Sequence, residues 1–213
     1  QLQWRRSFSK FRNLHTLVDD VLAMSKLEAG ETEIPDTAFD LTELLCSVNR
    51  EAQIKAEEKN VSYAVDWERG DLPFLCLLGN PVYAARLLTA IADNAVKFTE
   101  SGGNVRVWCE KKEVKGNQVV YEFGCEDNGI GMSEEFLPHA FEMFAQEKET
   151  SRTSYEGSGL GLAIARELAV RLGGNIALTS QKGKGTTVRA VLPFRIGGRE
   201  ELALCPESKE KET

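Results

Sequence analysis

No stretch of this chain approaches the ~20 consecutive apolar residues that a membrane-spanning helix requires. Its start carries no signal-peptide pattern. Histidine is scarce: there are two, His15 and His139, and neither stands at ligand spacing from another metal-binding side chain. The five cysteines, Cys46, Cys76, Cys109, Cys125 and Cys205, form no Cys-x-x-Cys pair, and together with the histidine spacing this argues against a zinc centre. Their odd number does not suggest a disulfide framework, and a reducing cytoplasm is the simple compartment. Four of them (Cys46, Cys76, Cys109 and Cys125) lie in apolar patterns and read as small core residues. A basic excess is also missing: 26 Lys and Arg stand against 33 Asp and Glu, a net charge of −7, which argues against nonspecific nucleic-acid binding. Internal repeats are absent. The chain opens on Gln1 rather than Met, which suggests a piece of a longer protein, with any membrane anchor outside it.

What is present reads as a soluble globular domain with an appendage. The 213 residues are 42% hydrophobic and 28% charged, enough to bury one core. Residues 7 to 28 predict a helix, with Phe11, Leu14, Val18 and Val21 on one stripe and Leu17 and Leu22 widening it. One such helix cannot bury its own face and needs a partner helix, in a hairpin or a dimer. Gly30 stops it, and a linker with Pro35 runs to Thr37. Ala38-Phe39 reads as a strand. Asp40 with Glu43 resembles a capping box opening a helix from Leu41 to about Lys59. Strands follow over Val61 to Trp67 and Leu75 to Leu78. Asn80-Pro81 marks the next helix start. Asn104 to Val114 and Val119 to Glu126 predict a hairpin over Lys115-Gly116-Asn117. Leu160 to Leu172 predicts a helix, and Ile176 to Thr179 and Thr187 to Leu192 two closing strands. The content is one sheet with helices on one face, a two-layer α/β sandwich of the α+β kind. Residues 197–213 are charged and aperiodic, and read as a tail or linker.

Three segments carry candidate chemistry. In Glu156-Gly157-Ser158-Gly159-Leu160-Gly161-Leu162, alternating glycines run into an apolar helix. Glycine permits close backbone approach, and a helix start offers free N–H groups to an anion such as nucleotide phosphate. Glycine-rich turns also end strands for purely structural reasons. In Glu126-Asp127-Asn128-Gly129-Ile130-Gly131-Met132, a strand ends in one carboxylate beside two glycines. That carboxylate can accept from an exocyclic amine such as adenine's, or serve only the turn. In Ala90-Ile91-Ala92-Asp93-Asn94-Ala95-Val96-Lys97-Phe98-Thr99, Asn94 and Lys97 are three apart and share a helix face. An amide oxygen can ligate Mg²⁺ and a lysine can meet phosphate. The segment from Gln146 to Ser154 is polar and reads as a mobile lid or a solvated loop.

In this order and spacing, the three segments resemble the N, G1 and G2 boxes of the sensor histidine kinase ATP-binding domain. Phe141-Glu142-Met143-Phe144-Ala145-Gln146 is similar to its F box. Gly173-Gly174-Asn175-Ile176, Ser180, Gly183-Lys184-Gly185-Thr186 and Leu192-Pro193-Phe194 are similar to its closing pattern. Ser25-Lys26-Leu27-Glu28-Ala29-Gly30 resembles the end of the second helix of the family's dimerisation and phosphotransfer hairpin. The resemblance implies the histidine kinase/gyrase-type ATPase fold (the Bergerat fold) over residues 38–196, preceded by a long helix in a partial hairpin over residues 1–30. It implies ATP and Mg²⁺ as cofactors. Asp127 would bind the adenine amine with Gly129 and Gly131 shaping the pocket. Asn94 would ligate Mg²⁺, Lys97 would meet phosphate, and these two are the implied catalytic pair. Phe98 would pack against the nucleotide or into the core. Gly157, Ser158, Gly159, Leu160 and Gly161 would cradle the phosphates, and Arg152, one place from the usual lid arginine, would reach the γ-phosphate. The implied partners are a second copy, through residues 7–28 and a first helix outside this chain, and a response-regulator receiver domain.

Two departures stand out. The family's N box usually has an asparagine four residues before the one matching Asn94, where this chain has Ala90. Asn80 stands where Asp is usual. Neither His15 nor His139 has the surroundings of a phosphoacceptor, so the acceptor is expected outside this chain. A regulatory nucleotide-binding or dimerisation module, and another ATPase of the wider superfamily, are the competing readings.

Overall fold

The computed structural model describes residues 36–68, 72–147 and 158–198. The predicted helix over residues 7–28, the linker as far as residue 35 and the tail from residue 199 lie outside these. The element order is β1 (Thr37–Asp40), α1 (Leu41–Glu58), β2 (Ser62–Asp66), β3 (Cys76–Gly79), α2 (Pro81–Phe98), β4 (Asn104–Lys115), β5 (Gln118–Asp127), a 3-10 turn (Leu137–His139), α3 (Gly161–Arg171), β6 (Asn175–Gln181) and β7 (Gly185–Ile196).

The helix starts follow the local chemistry. Asp40 caps α1, its Oδ1 accepting from Thr42 N at 2.7 Å and Glu43 N at 3.0 Å. Asn80 caps α2, accepting from Tyr83 N at 3.0 Å, with Pro81 opening the first turn. The β4–β5 hairpin turns over Gly116-Asn117, with Gly116 at φ +58.

The sheet runs β1-β3-β7-β5-β4-β2, with β6 also pairing β7. Most neighbours are antiparallel; β2 lies parallel to β4. β7 organises the sheet. One edge pairs with β5 from Thr186 to Arg195, and the other pairs first with β6 and then with β3. β6 and β7 extend beyond their predicted apolar cores because main-chain pairing carries the ladder into polar positions.

The three helices bury one stripe each against one face of the sheet, joining Leu45 and Val48 of α1, Leu87 and Ile91 of α2 and Ile164 and Leu168 of α3 to the inward residues of β4, β5 and β7. Tyr121 is fully buried there and anchored by its hydroxyl, which donates to Phe74 O at 2.9 Å. Three of the four expected core cysteines, Cys76, Cys109 and Cys125, are buried; Cys46 is exposed. Its predecessors Leu44 and Leu45 set the buried face of α1, and one further step of ~100° turns Cys46 to solvent. On the opposite face of the sheet, Trp108 pairs across from Gly124. Its indole lies where a Cβ on Gly124 would stand, 1.9 Å from that position.

Candidate functional site

One half of the site is built from strand ends. Asp127 is the last residue of β5, in register with Thr186 of β7. Its Oδ1 accepts from Gly129 N at 2.9 Å and Thr186 N at 3.3 Å. These are the carboxylate's hydrogen bonds among the described residues, and both are made by Oδ1. The residue is buried, 8% exposed. Burial pushes its carboxyl pKa above the usual value, against the two backbone N–H groups that pull it down, while the Glu126 charge adds to the rise. Gly129 packs against the end of α2; a Cβ there would lie 2.2 Å from Phe98 O. The loop after it is tied to the β6–β7 turn. Ile130 O accepts from Gly183 N at 2.7 Å, and Ser180 Oγ accepts from Met132 N at 2.9 Å. Ser180 Oγ also donates to Gly185 O and contacts Thr186 Oγ1, each at 2.9 Å.

The other half comes from helix ends. Asn94 and Lys97 lie on α2, both partly exposed. A Cβ on Gly161, the first residue of α3, would stand 3.2 Å from Asn94 Nδ2 and 3.6 Å from Oδ1, so the amide rests beside the start of α3. That start has no side-chain cap and no acidic residue in its first turn, an arrangement that favours an anion. Lys97 Nζ lies 4.5 Å from the centroid of the Phe98 ring. Burial lowers its pKa, and the like charge of Lys59 lowers it further. Phe144 N donates to Gly159 O at 3.0 Å, bringing the predicted F-box segment onto the glycine loop. Phe144 has φ +63, rare for a non-glycine residue, and its side chain is 59% exposed. The two halves meet where Ile130 N donates to Phe98 O at 3.1 Å.

The sequence pattern of the histidine kinase-, DNA gyrase B- and HSP90-like ATPases matches residues 79–196, which spans all of these groups. The chain belongs to this family. It is 35% identical over 189 residues to the sensory/regulatory protein RpfC of Xanthomonas campestris, covering 87% of this chain and 25% of that protein. It is 31% identical over 175 residues to the signal transduction histidine-protein kinase BarA of Escherichia coli, covering 82% of this chain and 19% of that one. The chain thus spans a quarter or less of these two relatives. Among solved structures, full-length ShkA in complex with AMPPNP superposes with a TM-score of 0.69 at 28% identity, over 93% of this chain and 40% of that one. The fold is that of the histidine kinase catalytic ATPase domain, as the sequence predicts.

Within this ATPase domain, Asp127, Gly129 and Gly131 lie in the strand half; Asn94 stands beside Gly161 at the end of the glycine loop, and Lys97 lies against the Phe98 ring at the end of α2. Phe98 is half-buried and stands outside the core cluster. The Leu160 side chain is fully buried, and its N–H donates to Ser158 Oγ at 3.3 Å, so it serves the core more than the loop surface. Arg152 and Gly157 lie outside the described residues, as does most of the predicted lid. No group of three or more His, Cys, Asp or Glu side chains able to hold a metal occurs among the described residues. Two supports were not assigned to the site from sequence. Thr186 meets Asp127 across 59 positions, a contact that only strand register reveals. Lys59, at the end of α1, reads in sequence as one more solvated charge. No helix among the described residues is long and apolar enough to cross a membrane.

Proposed function

We propose that this domain binds ATP between β5, the end of α2 and the start of α3, and that the protein containing it transfers the γ-phosphate to a histidine outside this chain, for relay to an aspartate of a response regulator. The observation that carries this reading is the convergence of a buried, half-satisfied carboxylate with an amide set against an uncapped helix start, joined by the Phe98–Ile130 hydrogen bond. Asp127 Oδ2 accepts from the adenine amine. Gly129 and Gly131 shape that side of the site by letting the Phe98 and Gln181 backbones pack close against it. The phosphates lie toward Ser158, Gly159 and Gly161, with Lys97 offering positive charge and Arg152 reaching the γ-phosphate.

A magnesium ion fits the donor set: it keeps several waters and is held through one or two protein oxygens plus phosphates, which one amide oxygen from Asn94 supplies. When bound, it would neutralise charge on the phosphates during transfer. The domain works as part of a cytoplasmic dimer assembled through residues 7–28 and a partner helix, and it hands its phosphate on through a receiver domain.

Calorimetric titration of the chain with ADP and Mg²⁺ tests the site: binding is expected in the wild type and its loss in Asp127→Asn. Equal affinity in both would remove the assignment. Incubation with radiolabelled ATP is expected to leave the chain unlabelled; an acid-labile phosphate on His15 or His139 would place the acceptor within it.

A further inference from the structure

A helix leaves its last four carbonyls without intrahelical partners. In α2, which carries Asn94 and Lys97, all four are taken. Ala95 O accepts from Thr99 N at 3.1 Å and Thr99 Oγ1 at 2.7 Å. Phe98 O accepts from Ile130 N at 3.1 Å. The middle two, Val96 O at 3.1 Å and Lys97 O, both accept from one ammonium, Lys59 Nζ. Lys59 is not on α2 at all; it is the C-cap of α1.

The backbone of Lys59 is itself fixed. Its N–H donates to Ala56 O at 3.1 Å, Asn60 follows at φ +57, and Val61 N closes back on Ala56 O at 2.8 Å. Asn60 then grips the turn beyond α2, through Gly102 N at 2.7 Å from its carbonyl and Ser101 Oγ at 3.1 Å from its amide. The end of α1 is therefore latched to the end of α2 at several points. A cation at a helix C-terminus is in its favourable place with respect to the dipole, and a charged donor makes the stronger hydrogen bond. Lys97 feels the same ammonium as a like charge, and its own Nζ lies toward the Phe98 ring.

We propose that Lys59 is a positioning residue of the nucleotide site: by holding the Val96 and Lys97 carbonyls, it sets the last turn of α2 and so the placement of the Asn94 and Lys97 side chains toward phosphate. It does not touch ligand, since its ammonium is spent on main-chain oxygens. The inference rests on the proposed assignment of phosphates to that end. Lys55, one turn earlier on α1, is the natural control. It meets α2 through the Asp93 carboxylate at 2.6 Å, and both side chains are well exposed, at 48% and 39%.

The test compares Lys59→Met, Lys59→Arg and Lys55→Ala with the wild type, each titrated with Mg·ADP and with adenosine. Thermal unfolding confirms that every variant is folded at the working temperature. Adenosine reports on Asp127; the phosphates of ADP report on the end of α2. Lys59→Met is expected to weaken ADP about tenfold while adenosine changes by less than about twofold, as loss of a charged hydrogen bond acting only at one end predicts. Lys59→Arg is expected to restore part of the loss, and Lys55→Ala to leave the ratio of the two affinities unchanged. Equal weakening of both ligands, or a lowered melting temperature with ADP affinity intact, would overturn the proposal by making Lys59 merely structural. Should Lys59→Met not fold, Lys59→Gln, which keeps one donor, is read in the same way. A wild-type chain that binds neither ligand would instead sink the assignment of the site itself.

Discussion

The carboxylate of Asp127 and the amide of Asn94 are held by different kinds of neighbour. Around Asp127 the contacts are main-chain: Gly129 N, Thr186 N and the close backbones of Gly185 and Phe98. Around Asn94 they depend on side chains projected from α2 and met by Gly161. The strand half is shaped by backbone and leaves no room for a Cβ. The helix half is set by which side chain stands at which helical position, and its shape is the softer of the two.

Breaking the strand half at its one charged group should have the largest effect. Asp127→Ala is expected to weaken ADP by about 5- to 150-fold, corresponding to ~1–3 kcal/mol for a lost buried hydrogen bond. Calorimetry reads it directly. The same carboxyl should impose a pH dependence. Its folded-state pKa is raised by burial, so between the unfolded and folded values the native chain holds the extra proton and stability falls as pH rises. ADP affinity should move the other way, falling as pH drops through that raised pKa, because the carboxylate is the stronger acceptor. ADP titrations across acidic pH should show this slope in the wild type, and urea unfolding over the same range should show the opposite slope in wild-type stability and a flatter one in Asp127→Asn.

Two glycine substitutions sharpen the contrast between the halves. Gly185 has φ +103, and a Cβ there would stand 1.9 Å from Asp127 O. Gly185→Ala should therefore cost about 1–3 kcal/mol of stability from backbone strain alone. Gly161 faces the Asn94 amide at 3.2 Å and lies in a helix, so Gly161→Ala should change stability by less than about 1 kcal/mol. Urea unfolding of both variants decides, and equal losses would erase the distinction.

The one expected gain concerns Ala90, four residues before Asn94 on the same face of α2 and half-buried against the core. In the full-length protein, Ala90→Asn should raise single-turnover phosphotransfer by about tenfold, or ~1.4 kcal/mol, with a lesser change in ATP affinity. A rate unchanged within error would mean that this position contributes nothing to the helix half.

Much of the domain was legible because its signals are local. Asn80-Pro81 and Asp40 announce their helices through capping chemistry confined to a few residues. The β4–β5 hairpin announces itself through Gly116-Asn117. The glycines of the strand half stand in a tight sequence motif, and so does the Asn94–Lys97 pair. What was not legible depends on distance along the chain or on geometry without a residue signature. Thr186 reaches Asp127 only because β7 is in one particular register with β5. Lys59 has no pattern that distinguishes it from Lys55; the difference lies in where α2 ends beneath it. Cys46 was misread because an apolar run on a helix does not say which of its members turns outward. Phe144, with its left-handed backbone against Gly159, has the composition of an ordinary hydrophobic residue.

β7 has a temporal meaning as well as a spatial one. Its residues leave the ribosome after the other described strands, yet they form the ladder between β5 and both β6 and β3. A nascent chain ending before Gly185 holds β1–β3, β2–β4–β5 and β6 as unjoined pieces, with an open edge on β5. Asp127 has no second N–H donor at that stage, since Thr186 has not been made. These pairings span long sequence separations and form late for the same reason that they are entropically costly to close. The second N–H on Asp127 therefore arrives only with β7, and a chain stalled upstream of it exposes the β5 edge, the kind of open strand that pairs with other chains.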